Sequence, residues 1–143
     1  MMALSVFDKI GGKRALEFVH KIFYIKVFEH PWLGQYFEDI DREFLESQQT
    51  DFMMGALGGP KVYSGAVPKH AHKHMFITRE LFDLRHELLR QSLVEAGIPE
   101  RPAEQWLRVD RAFASTMVKT SVTECQRRYA NEPVVAVPKP WAA

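Results

Sequence analysis

The chain reads as an all-α domain built from four substantial helices and shorter pieces. Three observations predict this. Four stretches carry apolar residues at helical spacing. Glycine and proline punctuate the ends of those stretches. No stretch shows the alternation of a half-buried strand, and no repeat or low-complexity tract is present.

Residues 4–10 read as a short helix ended by Gly11-Gly12, a pair that permits positive φ and a sharp change of direction. From Lys13 to about His30, Leu16, Val19, Phe23 and Val27 fall on one helical face, with Tyr24 beside it. Pro31 stops that helix, because the residue before a proline is pushed out of the α region. Trp32 to Phe37 is an aromatic-rich connection. Asp41 caps the next helix, which runs to about Leu57 with Leu45, Gln49, Phe52, Met53 and Ala56 on one face. One position of that apolar stripe is therefore a glutamine. Gly58-Gly59-Pro60 ends the helix, and residues 61–68 read as loop.

A short helix over Lys69 to Met75 is the expected carrier of His72. Thr78 caps a long helix to Ala96, ended by Gly97 and Pro99. Phe82, Arg85, Leu89 and Leu93 share one face of it, widened by Leu81, Leu84 and Leu88, so Arg85 is a charge within an apolar stripe. Pro102 opens the last helix, with Trp106, Val109, Phe113 and Met117 on one side, and it is expected to run to about Arg128. The division expected is a domain over 1–130 and a Pro-rich tail over 131–143. Pro133, Pro138 and Pro140 deny the tail a long helix and predict a loosely ordered segment, with Trp141 either exposed or an anchor.

Composition narrows the function. A chain of 143 residues is long enough for one core. Lys plus Arg is 19 against 18 Asp plus Glu, so charge makes no case for nucleic acid or an anionic membrane as partner. No stretch approaches the roughly 20 apolar residues of a membrane span. Asp8 and Lys9 interrupt the apolar run an export signal would need, and the single Cys125 has no partner for an internal disulfide. The expected compartment is therefore the cytoplasm. The oligomeric state is open.

There is no Gly-rich phosphate loop, CxxC, HExxH or G-x-S-x-G elbow, which leaves the histidines. Three of the six stand at alternate positions, His70, His72 and His74. On a helix, His70 and His74 would face one way and could share a divalent metal. His72 would point elsewhere and could ligate a haem iron through a neutral ring nitrogen. All three could equally be polar residues of a lysine-rich loop.

The order of the motifs resembles the truncated haemoglobins, short globins that fold as a two-on-two helical sandwich around haem. The likeness covers nearly all of residues 6–125. It rests on Gly11-Gly12, Gly58-Gly59, the Phe23-Tyr24 and Tyr36-Phe37 pairs, and His72 followed five residues later by Ile77. It is best to group I. The resemblance implies one b-type haem with His72 as proximal iron ligand and Phe37 against the haem face. It puts Tyr24 and Gln49 on the distal hydrogen-bond donors to bound O2, and Leu45 on the distal gate. Phe52, Met53, Ile77 and Phe82 are further expected contacts.

Two positions depart from the pattern. Arg85 stands where group I has a small apolar residue. It reaches a propionate, enters the distal pocket, or snorkels outward. Gln48 replaces a basic residue or histidine, so with Leu45 it removes a histidine sixth ligand from this helix. Lys69 or His70 is expected near a propionate, and His20 is expected to be structural.

The function implied is reversible binding of O2, CO and NO at ferrous iron. The alternatives are nitric oxide dioxygenation supported by a reductase, a peroxidase-like activity, and gas or redox sensing through a partner on the tail. A non-haem metal at His70 and His74 is the remaining rival.

Overall fold

The computed structural model describes residues 4–141. Residues 1–3 and 142–143, the outer ends of the expected domain and tail, lie outside the described residues. The helices are α1 (Val6–Ile10), α2 (Gly12–Glu29), α3 (Arg42–Ala56), α4 (Pro68–His72), α5 (Arg79–Glu95), α6 (Glu100–Ala112) and α7 (Ala114–Met117). A 3₁₀ turn, Leu33–Phe37, links α2 to α3. α2 packs on α3 and on α5, and α5 packs on α6, which gives two helices over two. No helix of the described residues is long and apolar enough to cross a membrane.

The two glycine pairs join one corner. Gly11 and Gly12 both have positive φ, 111° and 75°, so the chain turns from α1 into α2 within two residues. A Cβ on Gly59 would lie 2.6 Å from the Phe7 ring, so only glycine lets the end of α3 close over α1.

The predicted stripe of α2 is its buried face: Leu16, Val19, Phe23 and Val27 are in the core, joined by His20 and Tyr24. His20 Nδ1 lies 2.8 Å from Thr50 Oγ1 and ties α2 to α3. Its ring meets Trp106 edge-on. On α3 the stripe expected to be one face divides in two. Thr50, Met53 and Met54 enter the core, Leu45, Gln49 and Phe52 stay half-buried, and Ala56 is exposed. A half-buried apolar face beside a core face is what a helix shows when it lines a cavity.

The last helix is shorter than expected. It begins at Glu100 and breaks at Phe113, and after α7 the chain turns extended at Val118 (φ −75°, ψ 133°). The apolar spacing itself runs out at Met117. Beyond it Thr120, Ser121 and Thr123 offer the backbone side-chain partners that compete with helix. Lys119 N–H donates instead to the Ile77 carbonyl at 2.8 Å, and Ser121 caps a single 3₁₀ turn.

The tail is not loosely ordered. Val135 pairs in parallel with Met75: its N–H donates to the His74 carbonyl at 2.9 Å, and its carbonyl accepts from Phe76 N–H at 2.8 Å. Trp32 Nε1–H donates to the Val137 carbonyl at 2.8 Å. The Tyr36 hydroxyl donates to the Phe76 carbonyl and accepts from Val137 N–H. Glu132 is buried in an ion pair with Arg128. The physical reason is that the segment after α4 carries backbone groups with no helical partner, and an extended strand satisfies them. The prolines favour that extended form rather than disorder. Trp141 packs edge-on against Trp32 yet stays 46% exposed, so it sits between the two outcomes expected for it.

Candidate functional site

A partly open cavity of about 530 Å³ with a largely apolar wall lies between the helices. That is within the range of ~300–1,000 Å³ typical of ligand and cofactor sites. Of the residues singled out in the sequence, His72, Phe37, Tyr24, Gln49, Leu45, Gln48, Met53, Phe52, Ile77, Phe82 and Arg85 all line it. Lys69 does not: it is exposed on the outside of α4.

His72 ends a five-residue helix that opens with Pro68 at its first position, where the missing N–H costs nothing. Its Nδ1 is 2.7 Å from the Pro68 carbonyl oxygen. A carbonyl only accepts, so Nδ1 carries the proton and Nε2 keeps its lone pair. Burial lowers the imidazole pKa to about 4, so the ring is neutral at ordinary pH. A neutral imidazole with its other nitrogen held by a backbone acceptor is the form in which histidine ligates iron.

Tyr24 is 6% exposed, and the hydrogen bonds of the described residues leave its hydroxyl and the Gln49 amide to the cavity. Burial pushes the phenol pKa up to about 12, which keeps it a proton donor. Phe37 stacks on Phe28 with ring centroids 5.5 Å apart. Phe52 meets Tyr63 and Phe113, and Met53 and Phe82 are fully in the core. The donor set and the wall fit haem: one neutral imidazole, two polar donors and broad apolar surfaces.

Arg85 lines the cavity, in keeping with one of the outcomes expected for it, and is held there by an ion pair that was not expected. Its Nη1 donates to both carboxylate oxygens of Asp110 on α6, at 2.8 and 3.0 Å. Its guanidinium carbon lies 5.3 Å from the Phe23 ring centroid. His86 Nδ1 also reaches Asp110, at 2.8 Å. Burial pulls the Asp110 carboxyl up, but the Arg85 charge and the hydrogen bonds from His86 and Arg85 outweigh it and hold the group below the usual carboxylate range. Asp110 went unnoticed in the sequence, although the signal existed. It follows Trp106 by four residues, so it is a lone acid on one apolar stripe, as Arg85 is a lone base on another.

The other two clustered histidines part company. α4 ends at His72, so His70 and His74 never share a helical face. His70 is exposed, whereas His74 is buried with Nε2 3.8 Å from Glu132. No group of three or more candidate metal ligands occurs among the described residues. His74 and Arg128 also line the cavity, placed there by the tail.

A largely apolar pocket carrying a neutral His72 with its Nε2 left free, inside a two-on-two helical sandwich, is the arrangement of a haem globin. The Bacterial-like globin family matches residues 5–124, and the chain belongs to it. Within that family it is a truncated haemoglobin most similar to group 1. The group 1 truncated hemoglobin GlbN of Mycolicibacterium paratuberculosis is 36% identical over 103 residues, 72% of this chain and 76% of the relative. That of Tetrahymena thermophila is 35% identical over 97 residues, 68% and 80% of the two chains. The crystal structure of the truncated hemoglobin from Tetrahymena pyriformis in its Fe(III) form superposes with a TM-score of 0.77. It is 29% identical, covering 82% of this chain and all of that one. The chain is thus a globin of the kind that binds haem and small gases such as O2.

Proposed function

We propose that this globin holds O2 tightly at the iron of a b-type haem ligated by His72, with Tyr24 and Gln49 donating hydrogen bonds to the gas. CO and NO would enter the same pocket. The observation that carries the reading is the His72–Pro68 hydrogen bond of 2.7 Å, which leaves Nε2 free in a cavity that also holds Tyr24 and Gln49.

When bound, the haem supplies an iron centre that takes a diatomic gas. The protein does the rest. Pro68 fixes the tautomer and the ring orientation of His72. Tyr24 keeps its proton because burial raises its pKa to about 12, so it can donate rather than repel. The Gln49 NH2 is a second donor. Both favour a ligand whose outer atom gathers negative charge, and so O2 over CO. Phe37 presents a flat ring to a flat macrocycle. Leu45, Phe52, Met53 and Phe82 keep the pocket dry, which strengthens each hydrogen bond within it. We take the cytoplasm as its compartment, supported by the single, unpaired Cys125.

The test is the absorption spectrum of the purified protein, ferric, ferrous and ferrous with CO. An intense Soret band and a histidine-type CO complex are expected. A colourless protein that refuses added haemin would overturn the reading.

A further inference from the structure

Arg85 is a half-buried cation that the proposed gas chemistry does not use. Arg85 and Asp110 both line the cavity, and 21% of the Arg85 side chain is exposed against 5% for Asp110, so the arginine is the more accessible of the pair. Only Nη1 is engaged with Asp110. Nη2 and Nε take no partner among the described residues, which leaves donors of a fork suited to planar or linear anions.

Asp110 is shared: His86 Nδ1 takes one of its oxygens. His86 Nε2 in turn lies 3.0 Å from Arg111 Nη2, an obligate donor. On the cavity wall the Arg85 and Asp110 charges offset one another, and Arg111 is exposed outside it. Arg128, which also lines the cavity, is balanced by its ion pair with Glu132. The Arg85 charge acts on both Tyr24 and His72, with Asp110 opposing it at Tyr24.

We infer that Arg85, held forward by Asp110, makes this pocket a site for small monovalent inorganic anions such as nitrite or azide. The cation does not exclude neutral gases, which feel little of its field. It adds a charge-assisted hydrogen bond for a ligand that brings a full negative charge. Phe23 and Asp110 hold the guanidinium in place, so little ordering cost remains when the anion enters. This rests on the haem-globin reading, because the anion is to sit beside the ligand site.

The experiment titrates the ferric holoprotein with azide, with nitrite and with neutral imidazole, at constant ionic strength, and follows the Soret band. Arg85→Leu combined with Asp110→Leu removes the cation without stranding the acid. It should weaken both anions by about tenfold or more, the size expected for loss of a charge-assisted hydrogen bond. Imidazole affinity should barely move. Asp110→Asn leaves the cation unbalanced and should tighten both anions; Arg85→Lys should retain part of the affinity. Unchanged anion affinity in the double variant, or an equal loss for imidazole, would overturn the inference. If the double variant fails to fold, Asp110→Asn decides, and no tightening overturns it. A wild-type chain that takes up no haem defeats the globin reading and this inference together. A normal haem spectrum with anion affinities indifferent to Arg85 defeats this inference alone.

Discussion

His72 Nδ1 and the Pro68 carbonyl oxygen lie 2.7 Å apart within one five-residue helix. The pair sets which ring nitrogen is left to the cavity. Replacing His72 by Ala should abolish the five-coordinate ferrous spectrum, and added imidazole should restore it. Retention of that spectrum without imidazole would move the ligand to His74, the other histidine on the cavity wall.

Tyr24→Phe removes one hydroxyl from the pocket and little else. Losing a hydrogen bond to a group bearing charge costs roughly 1.5–3 kcal/mol, so the O2 off-rate should rise about tenfold or more. Stopped-flow displacement of O2 by CO measures it. An unaltered rate means the hydroxyl does not reach the ligand. Slow release in the wild type would also suit nitric oxide dioxygenation, which nitrate formation by the holoprotein with a reductase would measure.

Burial lowers the His20 pKa to about 3, from 6.5 when unfolded. Between those values the unfolded chain binds the extra proton, so stability falls as pH drops from about 6.5 toward 3. The slope is at most about 1.4 kcal/mol per pH unit from this residue. Urea unfolding at several pH values should show it. His20→Gln, which keeps a polar group near Thr50, should flatten the dependence by that amount.

The Arg85–Asp110 pair is a stability element as well. Asp110→Ala leaves a guanidinium without its counter-charge, and breaking a buried pair this way costs ~3–5 kcal/mol. Arg85→Leu with Asp110→Leu together should cost much less than the two single changes summed. Thermal or urea unfolding of the four proteins forms the cycle, and simple additivity would mean that the ion pair is not coupled.

Cutting the chain after Ala130 removes the Val135 and Val137 hydrogen bonds and uncovers Met75, Trp32 and Tyr36. At roughly 1 kcal/mol for each of these four hydrogen bonds plus the lost burial, the shortened protein should be about 4 kcal/mol less stable or more. Haem should also leave it faster, since His74 and the segment after α4 lose their cover. Unfolding midpoints and transfer of haem to an acceptor protein measure both, and no change in either would mean the tail merely rests there.

The sequence by itself determined the helices and most of the cavity wall. Leu16, Val19, Phe23 and Val27 predicted a buried face because a 3.6-residue period is a local property. Gly11-Gly12 and Gly58-Gly59 announced their turns because glycine tolerates positive φ and close approach. Gln49 on an apolar stripe and the family spacing around His72 marked the pocket in advance. Three matters were left to the tertiary structure. The path of the chain after α7 depends on Ile77, whose carbonyl takes Lys119 N–H, a partner more than forty residues away along the chain. The tail's order depends on unpaired backbone groups at His74 and Phe76, invisible until α4 ends beside them. Arg85 and Asp110 each looked like an isolated charge on an apolar face. Only the packing of α5 on α6 brings them together, because the energy of a buried ion pair belongs to the distance between two helices and to no single stretch of chain.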